Sequence, residues 1–123
     1  MASNKILRMG PVALATAATN VINPPTLTGG TGLAGTNTNT YLVIRHIRIV
    51  NKTAGAVTCS FYIGATGGSL AGTEFLGTAL SVAANSYIDW YGQLRLDPAD
   101  FLTGLAGAAT SLTFEAEGEI GIV

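Results

Sequence analysis

The sequence predicts an all-β chain: a single antiparallel β-sandwich, jelly-roll-like, of about eight strands with an extended N-terminal arm. Three observations lead there. Apolar residues recur at every second position, as in Val57, Cys59, Phe61 and Ile63 against Thr58, Ser60 and Tyr62, and again in Leu112, Phe114 and Ala116 against Thr113, Glu115 and Glu117. That period sends one set of side chains to a buried face and the other to solvent. These segments are short and are separated by clusters of Gly, Asn and Thr, the pattern of a sandwich or barrel. Finally, 123 residues fit one domain, residues 1–123, long enough to bury roughly two thirds of the unfolded surface without staples.

The elements follow in order. Residues 1–10 read as an extended arm, with Lys5 and Arg8 the only charges before Arg45. A first strand is expected at about 11–16, starting or lying at an edge because Pro11 has no amide donor. Residues 23–40 have no apolar periodicity and form a long loop that Leu27 and Leu33 can anchor to a neighbouring surface. Residues 41–51 make the clearest strand, but its phase is broken: Leu42 and Ile44 share one face, Ile47 and Ile49 the other. Either both faces of the strand are partly covered or, the reading preferred, a β-bulge near Arg45 and His46 shifts the register. Residues 52–55 read as a hairpin turn into a strand at 56–64. A glycine-rich loop at 64–77 precedes a strand at about 78–82, and Ala83, Ala84 and Asn85 make a turn. Residues 86–91 alternate with Ile88 and Trp90 inward, and Gly92 breaks the strand before Leu94 and Leu96. After the turn at 97–100, short and long strands are expected at 101–105 and 110–120. Trp90, Phe61, Phe114, Ile88, Cys59 and Leu112 are the expected core.

Composition narrows the function. Charged residues make up 11% of the chain, against about 25% in an ordinary soluble domain. Sixteen glycines and as many threonines fill much of the remainder. A surface wetted by hydroxyls and amides is cheap to desolvate, and assembly interfaces are depleted in Lys, Glu and Asp for that reason. The net charge of −1 gives no general attraction to nucleic acid or to acidic membrane. No apolar run reaches bilayer length, and no secretory leader is read in the first residues.

Reactive groups are few. His46 is the single histidine and Cys59 the single cysteine, so one chain cannot assemble a multi-histidine metal site, and no cofactor is expected. His46 lies between two arginines on a strand, which suits a structural or surface role. Glu115, Glu117 and Glu119 share a strand face about 6.5–7 Å apart, a spacing open to a glycosidase pair or a calcium site. The plainer reading pairs them with arginines on an adjacent strand, from Arg45, Arg48 and Arg95. The glycine clusters match no phosphate-binding pattern. Tyr62, Tyr87 and Tyr91 fall on the polar phase, where tyrosines serve protein interfaces or stack on sugar rings. The chain is expected not to be an enzyme.

The run at 47–64 (IRIVNKTAGAVTCSFYIG), that at 80–92 (LSVAANSYIDWYG), and the turns around 94–97 and 101–103 resemble small β-sandwich virion structural proteins of tailed bacteriophages. The resemblance spans about residues 41–118 and rests on turn and core positions. It implies a capsid decoration, or cement, protein at the capsid surface of the virion, bridging major capsid subunits as a dimer or trimer. A tail, head-fibre or receptor-binding component and a carbohydrate-binding module are the alternatives. The partner-binding residues expected on this reading are Lys5, Arg8, Leu27, Leu33, Tyr62, Tyr87 and Tyr91, with a major capsid protein or other virion proteins as partners.

Overall fold

A computed structural model describes residues 5–22, 40–64, 72–97 and 100–122, and these form eight strands and no helix. The strands are β1 (Lys5–Ala13), β2 (Thr19–Ile22), β3 (Thr40–Asn51) and β4 (Val57–Gly64), then β5 (Glu74–Val82), β6 (Ser86–Leu96), β7 (Phe101–Ala106) and β8 (Leu112–Ile122). They pair antiparallel in two four-stranded sheets, ordered β1-β8-β3-β6 and β2-β7-β4-β5. Every connection except β4–β5 passes from one sheet to the other, which is jelly-roll topology.

The core lies between the sheets. Phe61 of β4 and Phe114 of β8 are fully buried with ring centroids 5.6 Å apart, one ring from each sheet. Burying such a side chain contributes about 1.5–3 kcal/mol relative to leaving it in water. Cys59 and Leu112 are buried as expected, whereas Ile88 and Trp90 are half-buried and pack against the core from the edge strand β6. Burial pushes the Cys59 thiol up to about 11, so its reactive thiolate is disfavoured.

The broken phase of β3 is a bulge. From Ile44 to His46 the chain takes one residue more than β8 takes between Gly118 and Glu117, so Arg45 is the extra residue. The parity change turns Leu42, Ile44, Ile47 and Ile49 all to the core. Gly118 permits the close approach, since a Cβ there would run into the Val43 carbonyl oxygen and the Ile44 backbone.

Four expectations need correction. Residues 5–10 are extended but not a free arm, because they form the first half of β1, paired along β8 from Lys5 opposite Ile120. Two strands therefore precede residue 23 where one was expected. The turn at 52–55 does not close a hairpin: β3 and β4 belong to different sheets, and the turn carries the chain across the sandwich. Gly92 does not end a strand. The Trp90 ring lies over it, so close that an added Cβ would sit 2.6 Å from the ring, and β6 continues to Leu96 with its own register shift against β3. Strand β5 begins at Glu74 rather than 78 and is kinked by positive φ at Leu76 and Ala79. Of the loop expected at 23–40, only Thr40, the first residue of β3, is among the described residues.

Candidate functional site

The two outer faces of the sandwich differ in chemistry. The strands of the β1-β8-β3-β6 sheet hold Lys5, Arg8, Arg45, Arg48, Asp89, Arg95, Glu115, Glu117 and Glu119. Those of the β2-β7-β4-β5 sheet hold Glu74 alone.

On the charged face the ladder sets residues in rows. Arg8, Glu117, His46 and Tyr91 stand in register across all four strands, and Glu115, Arg48 and Asp89 form the next row. Arg48 donates to both carboxylate oxygens of Asp89, at 2.7 and 3.1 Å. His46 Nε2 lies 2.8 Å from Asp89 Oδ1, and its Nδ1 lies 3.4 Å from Glu117 Oε1. Arg45 donates to Glu119 at 2.7 Å, as the cross-strand reading of the glutamates expected. Hydrogen bonds from Arg48 and then from His46 hold the Asp89 carboxyl down at about 2. The same contact raises Arg48 above the usual guanidinium range.

Aromatic rings cover this network. The Tyr91 ring stacks on His46 at 4.6 Å and 15°, and the Arg48 guanidinium sits 4.4 Å from the centre of the Tyr87 ring. Arg95 covers Tyr41 in the same way at 4.3 Å and donates to Asp97 at 2.7 Å. Arg45, Arg48 and Arg95 thus meet carboxylates or ring faces at close range, an arrangement that stabilises a fixed surface relief. Among the described residues no three His, Cys, Asp or Glu side chains converge on a metal-sized site.

The expected partner residues are divided by this geometry. Arg8, Tyr87 and Tyr91 are exposed on the charged face, the tyrosines at 53% and 71%. Tyr62 is half-buried on the opposite face, in register with Thr103 and Glu74, so the three tyrosines are not one row. Lys5 is placed by its backbone in β1, and Leu27 and Leu33 lie outside the described residues. Sequence reasoning missed the joining of His46, Arg48 and Asp89, because β3 and β6 are about forty residues apart and register alone brings them together. It also missed Ile6, an apolar side chain 85% exposed on β1.

No family model matches the chain, and no curated protein does. Solved structures with a similar course include the C-terminal domain of EclA, described as a sugar-binding protein, at 14% identity and a TM-score of 0.39, covering 100% of this chain and 80% of that one. Murine APRIL is 12% identical with a TM-score of 0.42, over 95% of this chain and 99% of its own. A pentameric capsid protein from metagenomic phage sequences is 13% identical with a TM-score of 0.34, over 95% of this chain and 66% of its own.

Proposed function

We propose that this chain is a structural virion protein of a tailed phage, a capsid decoration protein that bridges neighbouring major capsid subunits as a homo-oligomer. The observation that supports it is the unequal division of charge between the sheets. Taking an unpaired Lys or Glu out of water is costly, so a surface without them is the one that a neighbour covers most readily. The outer side of the β2-β7-β4-β5 sheet has this character: Thr58 is exposed there and Tyr62, Phe101 and Leu105 are half-buried, while Ser60 and Thr103 beside them are already covered within the chain. The resemblance at 47–64, 80–92, 94–97 and 101–103 supports a major capsid protein as that neighbour. Its contribution is mechanical rather than chemical: each contact of a symmetric oligomer raises the effective concentration of the next, so modest sites together hold the shell.

Co-sedimentation with heads assembled from the major capsid protein of the same phage tests this. Saturable co-pelleting is expected, weakened by Tyr62→Asp on the neutral face and unchanged by Tyr91→Ala on the charged one. Absence of co-pelleting at both low and high salt overturns the reading, and recovery with tails instead of heads moves the protein to the tail.

A further inference from the structure

The chain has a second surface feature that the capsid reading does not use. Where β3 ends and β6 begins, a shallow cleft of about 370 Å³ opens on the surface, lined by Val50, Asn51, Lys52, Asn85, Ser86 and Tyr87. That volume falls within the roughly 300–1,000 Å³ of small-molecule sites.

The cleft has a fixed floor. Val50 stands opposite Tyr87 and Asn51 opposite Ser86 in the ladder. The Asn51 amide is 1% exposed and donates to the carbonyls of Gly55 and Val82, at 2.9 and 3.0 Å. Its oxygen accepts from the Thr53 amide and hydroxyl, at 2.9 and 2.7 Å. The Asn85 amide donates to the Thr53 carbonyl at 3.0 Å, tying the two turns that form the walls. One asparagine therefore pins both turns, so the backbone that carries the lining residues is fixed before any ligand arrives.

The groups facing solvent are of another kind. Tyr87 is 53% exposed, its ring backed by Arg48. Beside it stand the exposed side chains of Lys52 and Asn85, while Ser86, half-buried, lies on the other face of β6 in register with Asn51. Lys52 is the one charged residue of the lining, and the ion pairs among the described residues do not include it. Asp89, the nearest carboxylate along β6, is already held by Arg48 and His46. A flat aromatic face, an amide and one uncompensated cation are complementary to a ring with an apolar C–H face, hydroxyls and one negative charge.

We propose that this cleft binds an acidic pyranose, of the uronic acid type found in surface polysaccharides. The sugar ring stacks on Tyr87, its carboxylate meets Lys52, and its hydroxyls exchange hydrogen bonds with Asn85. The inference stands on the cleft alone and does not depend on attachment to a capsid. Titration of the isotope-labelled protein with sodium D-glucuronate tests it, with D-glucose and sodium acetate as the other arms. Glucuronate is expected to shift the amide signals of Lys52, Asn85, Ser86 and Tyr87 more strongly than either glucose or acetate. Tyr87→Ala should weaken the apparent affinity about tenfold, the scale of one lost ring contact. Lys52→Met should leave glucuronate no better than glucose. Both positions are exposed, so unchanged amide spectra elsewhere confirm that the variants are folded. Equal shifts with acetate and glucuronate, or no shifts with glucuronate, overturn the proposal. So does a Tyr87→Ala protein that keeps wild-type glucuronate binding.

Discussion

The two sheets share a core but differ in almost everything else. The β1-β8-β3-β6 sheet is built from strands of 9, 11, 12 and 11 residues, and its outer face is an interlocked relief of arginines, carboxylates and rings. The β2-β7-β4-β5 sheet uses strands of 4, 6, 8 and 9 residues, one of them kinked by positive φ, and its outer face is nearly without charge. Cross-strand charge pairs gain from long ladders, which the first sheet provides even though each of its pairings carries a register shift. A neutral face makes no such demand and is the cheaper one to take out of water. On the function proposed above, the charged face stays wet and ordered and the exposed part of the neutral face makes the contact.

The largest effect should come from the layer the sheets share. Phe114→Ala is expected to lower stability by about 3–5 kcal/mol in urea unfolding, because Phe61 cannot refill the space from the opposite sheet. A loss below about 1 kcal/mol would show that the sheets do not meet at this pair. Next comes the link between them. Asn51→Ala strands the carbonyls of Gly55 and Val82 and the Thr53 amide, so a loss of about 2–3 kcal/mol is expected by the same measurement. A nearly neutral outcome would mean that the turns hold themselves.

Smaller effects separate the outer faces. Asp89 titrates at about 2 in the folded chain, below the usual aspartate value near 3.9 in an unfolded one. A depressed carboxylate contributes stability above its unfolded pKa and loses it as pH falls through the folded value. Acid titration should therefore show stability declining between about pH 4 and pH 2, with Asp89→Asn flattening that decline. An unchanged slope in the variant would remove the Arg48–Asp89–His46 network from the acid response. The smallest effect is expected for Tyr91→Ala. Its ring is exposed and contacts mainly His46, so a change within about 0.5 kcal/mol should be found. A larger loss would show that the stacked rings hold the face together.

Much of the local structure could be read from the residues. The parity break between Ile44 and Ile47 pointed to the bulge, with a strand covered on both faces as the other reading, and the burial of all four apolar side chains decides for the bulge. Phe61, Cys59, Leu112 and Phe114 could be assigned to the core from alternation alone. The plainer reading of the glutamate row was legible too, since carboxylates on a strand face seek cations on the next strand, and Arg45 meets Glu119. The same reasoning treated Lys5 and Arg8 as signs of a free arm, although a charged edge strand carries the same signature.

What the chain's own pattern determined was which side of β4 and β8 faces the core, because clean alternation leaves only one side apolar enough to bury. What only the tertiary structure decided was which strand lies beside which. The turn at 52–55 tells the chain to reverse, but whether the next strand pairs with β3 or crosses to the other sheet depends on which arrangement covers both inner faces. That choice belongs to all eight strands at once, and it is what brings His46, Arg48 and Asp89 together and places Lys52 beside Tyr87.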